Sequence, residues 1–453
     1  MDTSHEHLLA LRSRLRGELV LPADDGWDDA RRAWMLLADQ HPAAVVVAAD
    51  ERDVVETVRA ARSLGLHVAP QGTGHAAGAL GALRDTILLR TTRLNAVSID
   101  PVARVARVGA GAISADVAAA AAGHGLAAVS GMAPTVGVVG LVLGGGLGWL
   151  ARSHGLASAS VRAIEAVDAH ARSIVIDETR HPELFWAARG GVAPVVVTAI
   201  ELQLHPIAEI VAGGLLWPIE RAAEVAHAWR AWACELPESV TSLVRVLRYP
   251  PLPELPEPLR GRAFVAVEAA FQEDAGAADA LLRPLRALAP ELDTMRPMSP
   301  AELPAVHGDP PQPVPAYGDT ALLRELSTAA IDALLEAALA PSAAPLLSIE
   351  VRHLGGALAP GRTDAGAVSG IAGEGLLFAL GIVPVPEALD AVRAAANGVL
   401  EAVAPFAGER TVKTFAERPA SAASLYGPSL ERVRQVVAAW DPEGVIRTAH
   451  PLD

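Results

Sequence analysis

The amino-acid sequence predicts an α+β protein of two domains, the second an antiparallel sheet backed by helices. Three observations lead to this prediction. A short buried strand at residues 44–47 precedes an amphipathic helix and a further strand, which is the pattern of a β-α-β unit. Residues 164–167 and 173–176 are predicted to form a hairpin. Beyond residue 205 the sequence changes to apolar strands, amphipathic helices and proline-rich connections.

Length and composition limit the class of protein. With 453 residues, of which 51% are hydrophobic and 20% charged, the chain is long enough for two globular domains. The formal net charge of -15 argues against a nucleic-acid partner, because a phosphate backbone would be repelled. The single cysteine, Cys234, cannot form an internal disulfide, and the first residues lack an export signal. We therefore expect a cytoplasmic protein.

Helices are predicted at residues 6–16 and 28–37, and a third helix follows Asp50. Asp50 is placed to cap this third helix, whose apolar side chains at positions 54, 55, 58 and 61 share one face. Gly65 ends the helix in the C′ position. The strand predicted at residues 66–69 then leads into a glycine-rich loop.

This loop, residues 71–78, has the sequence Gln-Gly-Thr-Gly-His-Ala-Ala-Gly and matches Gly-x-Gly-x-x-x-Gly, a dinucleotide fingerprint of low specificity. A Rossmann unit needs a helix directly after its glycines, because the helix N-terminus binds the pyrophosphate. Here a strand predicted at residues 86–89 follows too soon for such a helix. A phosphate-cradling loop without a helix is therefore favoured over a Rossmann unit.

A second glycine-rich segment, residues 130–149, carries no charge. It follows a strand predicted at residues 105–108 and a helix at residues 114–122, with Ser114 as the N-cap. Its length raises the question of a membrane span, but each of three consecutive glycines costs a helix about 1 kcal/mol relative to alanine. Glycines instead let a backbone approach a flat ligand closely. We therefore predict a ligand-binding segment and no membrane partner.

The remaining elements complete the two domains. A helical turn at residues 183–188 and a strand at residues 195–204 are predicted to close the first domain. In the second domain, helices are predicted at residues 222–232 and 275–288, and strands at residues 263–267 and 376–382. Residues 250–258 and 310–315 are too rich in proline for helix or central strand. The histidines show no metal-ligand spacing, and no Gly-x-Ser-x-Gly elbow supports a hydrolase.

The two glycine-rich segments together resemble the FAD-binding domain of the vanillyl-alcohol oxidase superfamily (the PCMH type), in its berberine-bridge-enzyme-like branch. The resemblance rests on Gly74-His75, on Pro-Thr-Val-Gly at residues 134–137 and on Gly-Gly-Gly-Leu-Gly at residues 144–148. It implies FAD bound covalently through His75. Since Ala133 stands where the family often has a second, cysteine link, it implies a single attachment.

By the same resemblance, residues 1–205 form a two-part FAD-binding domain with its core at about 38–206. Residues 206–408 form a substrate-binding cap domain, and residues 409–453 return to the FAD domain. The candidate FAD-binding residues are Gln71, Gly72, Thr73, Gly74, His75, Ala76, Gly78, Gly131, Met132, Pro134, Thr135, Val136, Gly137, Gly140, Gly144, Gly145, Gly148 and Val197.

Candidate catalytic residues lie in the cap domain. If residues 348–354 form a strand, Glu350 and Arg352 lie on one face of it. Since the family's cap sheet faces the flavin, Glu350 is the candidate general base, with its pKa raised by the cavity, and Arg352 its partner or a substrate anchor. Arg245, on the alternating run 243–247, is a further candidate. A solvated or purely structural ion pair is the alternative for Glu350 and Arg352, and a structural role is the alternative for Arg245.

The chain departs from the family at three places. The glycine-rich loop at residues 190–198 is shorter by one residue and lacks an asparagine, and the family's Tyr-x-Asn-Phe becomes Val-Lys-Thr-Phe at residues 412–415. The closing Asn-His-Pro becomes Ala449-His450-Pro451. By the resemblance, each change removes a hydrogen-bonding group from the surroundings of the flavin. The loss of the tyrosine also removes a group that often accepts a proton in relatives.

The resemblance implies an FAD-dependent oxidoreductase, either an oxidase or a monooxygenase, that takes hydride from a small molecule such as a natural product. Molecular oxygen would be the electron acceptor. The missing asparagine and tyrosine leave open a flavin-binding protein without redox chemistry, such as a cyclase, an isomerase or a binding module. The oligomeric state, the substrate and the choice between oxidase and monooxygenase also stay open.

Overall fold

The computed structural model describes residues 3–363 and 366–452 of the chain. The first half contains two β-sheets with their helices. Its elements are α1 Thr3–Arg12, β1 Glu18–Val20, α2 Trp27–Arg31, β2 Ala44–Val47, α3 Glu51–Leu64, β3 His67–Gln71, β4 Thr86–Arg90, β5 Val97–Asp100, β6 Val105–Gly109, α4 Ser114–Ala122, α5 Val138–Leu143, α6 Ala151–His154, β7 Val161–Asp168, β8 Ser173–Ile176, α7 Pro182–Ala188 and β9 Val195–Gln203.

The first sheet has the strand order β1-β2-β4-β3 and contains the predicted β-α-β unit. Strands β2, β4 and β3 are parallel, and α3 connects β2 to β3. The Asp50 carboxylate accepts a hydrogen bond from the Asp53 N–H at 3.2 Å, and Gly65 ends α3 with φ of +64°. Both predicted helix boundaries are therefore confirmed.

The second sheet, in the order β5-β6-β9-β7-β8, is antiparallel throughout. The predicted hairpin corresponds to β7 and β8, and β9 lies at the centre of the sheet. Helices α4 and α5 contribute Val117, Val138 and Val142 to the apolar core under this sheet. The glycine-rich segment, which contains α5, therefore packs against this sheet through that core.

The second half forms one large antiparallel sheet. Its elements are β10 Ile210–Pro218, α8 Ala222–Ala233, β11 Val240–Arg248, β12 Ala263–Phe271, α9 Ala275–Arg286, β13 Leu292–Asp293, β14 Arg296–Met298, β15 Ala316–Leu323, α10 Thr328–Leu339, β16 Ser348–His353, β17 Gly375–Ile382, α11 Leu389–Val403, α12 Ala422–Tyr426 and α13 Leu430–Trp440. The strand order is β13-β10-β12-β11-β16-β17-β15, with β14 also paired to β10.

Helices cover one face of this sheet. Trp217, Trp229, Phe271 and Ile349 belong to the apolar core between the sheet and α8 to α11, and the first three are fully buried. Burial of aromatic side chains of this size contributes much of the stability of such a core. The α+β fold, with an antiparallel sheet backed by helices, is confirmed.

Two predicted local features are wrong. The helix predicted at residues 28–37 ends at Arg31, because the following backbone pairs with the His75 loop instead. There the Trp34 N–H donates to the Thr73 carbonyl at 3.0 Å, and the Met35 N–H donates to the Gly74 carbonyl at 3.3 Å. Ser114 is not the N-cap of α4 but its first helical residue, and its N–H donates to the Val136 carbonyl at 2.9 Å.

The described residues contain neither a candidate membrane-spanning helix nor a candidate metal site. Among the described helices, none combines the length and the apolar character that crossing a bilayer requires. Within residues 3–363 and 366–452, no three histidine, cysteine, aspartate or glutamate side chains are grouped as metal ligands.

Candidate functional site

The two glycine-rich segments lie against each other. His75 Nε2 lies 3.1 Å from the Thr135 hydroxyl oxygen, and the Gly137 N–H donates to the Thr73 hydroxyl at 3.3 Å. The loop that holds His75 leaves the carboxyl end of β3, and the loop that holds Thr135 leads into α5. Side chains about sixty positions apart in the chain therefore meet at one place.

The His75 imidazole packs against an aromatic ring. The Trp34 ring stacks on it with the ring centroids 3.8 Å apart and the planes at 14°. Burial lowers the pKa of His75 to about 4, against a smaller opposing effect of the hydrogen bond at Thr135. The imidazole is therefore neutral at pH 7. The Trp34 contact also explains why the chain after α2 leaves the helical path.

Unpaired hydrogen-bonding groups line both loops. Within the described chain, the backbone N–H groups of residues 72–76, 131–133, 135 and 136 donate to no protein acceptor. Both ends of the buried Gln71 amide are also without a protein partner. Arg90, beside Gln71 in the β3–β4 ladder, donates to the Arg32 carbonyl at 3.2 Å and forms no ion pair with a described carboxylate. Such a set of donors suits an anionic or carbonyl-bearing ligand.

The glycines of the second segment have different surroundings. A Cβ on Gly148 would lie 1.7 Å from the Ser130 carbonyl oxygen, so Gly148 permits backbone packing inside the protein. Gly145 has φ of +112°, which favours glycine. A Cβ on Gly140 would meet no atom within 4 Å. Gly140 therefore borders open space, whereas Gly148 does not. Val197 packs in the core of the second sheet.

A C-terminal segment, residues 412–417, lies between the glycine-rich loops and the large antiparallel sheet of the second half. Thr414 Cγ2 lies 2.9 Å from the position of a Cβ on Gly144, and the Lys413 amine donates to the Gly191 carbonyl. The Phe415 ring meets the Phe378 ring edge-to-face at 5.5 Å. Residues of this segment therefore contact the second glycine-rich segment, the loop at residues 190–198 and strand β17.

The predicted alternation of strand β16 is confirmed. Ile349 and Val351 belong to the core beneath the helices, whereas Glu350 and Arg352 point to the opposite face. On that face Arg352 Nη1 lies 3.0 Å from the sulfur of Met132 in the second glycine-rich segment. The polar face of this large sheet therefore faces the second glycine-rich segment.

Glu350 belongs to a buried ionic cluster. Arg352 Nε donates to Glu350 Oε1 at 2.7 Å, and His307 Nε2 lies 3.1 Å from Glu350 Oε2. His307 Nδ1 lies 2.8 Å from Glu268 Oε2, and Arg245 also pairs with Glu268. Because both ring nitrogens of His307 face carboxylates, the ring is an imidazolium that donates from each nitrogen. Arg245 and Glu350 also face each other in the β11–β16 register.

The pKa predicted for Glu350 is wrong in direction. Burial by itself raises the pKa of Glu350, but the charges of Arg352 and His307 outweigh it and hold the pKa far below the usual range. For His307, burial and Arg245 lower the pKa, but Glu350 and Glu268 outweigh them and raise it to about 9. Glu350 is therefore ionised at neutral pH, where it balances two cations and is a weak base.

Comparison with known proteins agrees with this geometry. Residues 42–176 match the FAD binding domain family model. The fold matches the crystal structure of 6-hydroxy-D-nicotine oxidase from Arthrobacter nicotinovorans, with a TM-score of 0.83, 25% identity and coverage of 97% of this chain and 98% of that one. The chain contains an FAD binding domain and shares the fold of the vanillyl-alcohol oxidase superfamily.

Further relatives agree with the superfamily assignment. The (R)-6-hydroxynicotine oxidase of Paenarthrobacter nicotinovorans is 36% identical over 211 residues, covering 46% of each chain. The glucooligosaccharide oxidase of Sarocladium strictum is 34% identical over 170 residues, covering 37% of this chain and 34% of that one. The sequence matches thus span about half or less of these relatives. The berberine bridge enzyme of Eschscholzia californica shares the fold, with a TM-score of 0.82 at 18% identity over 98% of both chains.

The residues present fit the FAD of this superfamily. Residues 72–76 offer consecutive N–H groups of the kind that bind phosphate oxygens. The orphaned Gln71 amide and the open space at Gly140 suit a bulky, polar-edged ligand. The 130–149 segment carries no charge, so its backbone can pack against a flat apolar ring.

Sequence reasoning missed four residues at this superfamily site. Glu268 is a lone carboxylate in the apolar strand Ala263–Phe271, and a charge at such a position is a signal that could have indicated a buried partner. Lys413 lies within the Val-Lys-Thr-Phe motif and Glu417 lies two residues after it, and neither was predicted as a site residue. His307 lies in a loop, and no local pattern could have paired it with Glu350.

Proposed function

We propose that this protein is an FAD-dependent oxidoreductase that oxidises a small molecule, with FAD attached covalently to His75. The observation that carries the proposal is the contact between His75 and Thr135, which brings the two glycine-rich loops of an FAD-binding domain together. When bound, FAD accepts a hydride from the substrate and passes the electrons to an acceptor, for which we propose molecular oxygen.

The surroundings of His75 support covalent attachment. Formation of the bond needs an unprotonated ring nitrogen as the nucleophile, and burial keeps the imidazole neutral. Nε2 is engaged by Thr135, whereas Nδ1 has no hydrogen-bond partner among the described residues. We therefore assign the attachment to Nδ1, with Thr135 and the stacked Trp34 holding the ring in place.

We propose that the substrate binds between the glycine-rich loops and the polar face of the large antiparallel sheet. Arg352 and Arg245 supply positive charge on that face, while Phe378 and Phe415 supply an apolar wall. A site with a few charged groups beside aromatic rings is typical of small-molecule pockets. Relatives are named for oxidation of 6-hydroxynicotine and of glucooligosaccharides, and we propose a substrate of comparable size.

Acid denaturation tests the attachment. Yellow colour is expected to remain with the precipitated wild-type protein and to be released to the supernatant from His75→Ala. His227→Ala is the matched control, because His227 is an exposed histidine of the cap domain paired with Asp332. Release of all colour from the wild type would refute the covalent link but not FAD binding.

Anaerobic addition of substrate tests the redox function. Bleaching of the oxidised flavin band by 6-hydroxynicotine or a glucooligosaccharide is the expected result for an oxidoreductase. Turnover of a compound with an unchanged flavin spectrum would instead support the non-redox alternative.

A further inference from the structure

We propose that Glu417 is the catalytic proton acceptor of this enzyme, in the place of both the absent tyrosine and Glu350. The inference rests on the proposed oxidoreductase function and adds a residue to it. It is drawn from the position of Glu417 between the two domains and from the groups around its carboxylate.

Glu417 touches both walls of the site. Its carboxylate oxygen Oε2 lies 2.7 Å from the position that a Cβ on Gly318 of β15 would take, so only glycine leaves room for it there. Its main-chain oxygen lies 2.5 Å from the corresponding position on Gly78 in the His75 loop. The Phe378 ring, which meets the Phe415 ring edge-to-face, lies against the same position on Gly318. The carboxylate is therefore held against the cap sheet, and its backbone against the flavin-binding loop.

No cation neutralises this carboxylate. Among the described residues, no lysine, arginine or histidine forms an ion pair with Glu417. The adjacent Arg418 is paired with Asp319 and stacks over the Tyr317 ring at 4.2 Å. His75, on the loop that carries Gly78, is engaged by Thr135.

The surroundings tune Glu417 for proton transfer near neutral pH. Burial raises the pKa of Glu417, a hydrogen bond from the Gly318 backbone lowers it, and the like charge of Asp319 raises it, to about 7 in sum. A general base works best when its pKa is near the working pH. Glu350, by contrast, is buried between Arg352 and His307 and has little affinity for a proton.

The assigned step balances in atoms and electrons. The substrate has a C–H bond next to an O–H or N–H bond. The C–H bond breaks and its electron pair leaves with the hydrogen as hydride to the oxidised flavin, while the O–H or N–H proton moves to the Glu417 carboxylate. A C=O or C=N double bond forms, so the substrate loses two electrons and two hydrogens. Glu417 then releases its proton to solvent.

Anaerobic stopped-flow measurement of the rate of flavin reduction tests the role of Glu417 as proton acceptor. The probes are 6-hydroxynicotine and a glucooligosaccharide. The wild-type rate constant should rise with pH through about 7, and E417Q should lower it by about 10²- to 10⁴-fold and remove the rise. E417D should keep part of the rate. E302Q is the control, because Glu302 forms an exposed pair with Arg296. An E417Q rate and pH profile equal to wild type would overturn the assignment.

Infrared spectroscopy gives a second readout that needs no substrate. The wild type should show an absorption band of a protonated carboxyl group that disappears as pH rises through about 7. The same band should be present in E350Q and absent from E417Q. Persistence of that band in E417Q would overturn the assignment. G318A, which presses on the carboxylate, should shift the titration without removing the group.

The two proposals fail in different ways. A wild-type flavin that neither probe reduces counts against the oxidoreductase function, and the catalytic role of Glu417 falls with it. Wild-type reduction with an unaffected E417Q overturns only the role of Glu417.

Discussion

The ionic cluster around His307 should make the free energy of unfolding depend on pH. His307 has a folded pKa of about 9, against an ordinary value of about 6.5, so the folded state binds its proton more tightly. A raised pKa of this kind stabilises the fold fully below about pH 6.5, and the stabilisation is lost as pH rises through about 9. The difference of about 2.5 pH units corresponds to about 3 kcal/mol.

We expect His307→Gln to remove this dependence. The measured quantity is the difference in free energy of unfolding between wild type and variant, from urea denaturation at about pH 6 and about pH 10. This difference should shrink by about 3 kcal/mol over that range. Burial lowers the pKa of Lys413 to about 7, so the contribution of Lys413 to the free energy of unfolding rises with pH above that value. This rise opposes the loss that is due to His307, and comparison with the variant separates the two effects.

His227→Gln serves as the control, since its ring is a third exposed and pairs with Asp332 at the surface. A wild-type advantage over His307→Gln that stays constant from about pH 6 to about pH 10 would refute the reasoning. It would mean that His307 is not held between two carboxylates in the folded protein.

Two further predictions concern the glycine-rich loops. Thr135→Val removes the hydroxyl beside His75 Nε2, and the fraction of flavin that stays with acid-precipitated protein should fall, while Thr135→Ser should retain it. Gly148→Ala should destabilise the protein by at least about 2 kcal/mol in thermal or urea denaturation, because its Cβ would collide with the Ser130 carbonyl. Gly140→Ala, in helix α5 with open space around it, should cost nothing or stabilise by up to about 1 kcal/mol; equal effects of both alanines would contradict this account.

Much of the fold could be predicted because its signals are local. The cap at Asp50, the left-handed Gly65 and the period-two pattern of β16 each depend on a few neighbouring residues. The helix predicted at residues 28–37 failed for the opposite reason. The hydrogen bonds of Trp34 and Met35 go to the His75 loop, and no local pattern contains that information.

For the site, the sequence by itself determined that an imidazole and two glycine-rich segments belong to an FAD-binding domain, because the spacing of those residues carries the family pattern. Only the tertiary structure decided the protonation of the carboxylates. Glu350 is paired with Arg352, two residues along the same strand, and with His307, from a distant loop. Glu417 has the Gly318 backbone and the like charge of Asp319 beside it and forms no ion pair with a described cation. A pKa depends on the charges and burial within a few ångströms, and folding alone brings those groups together.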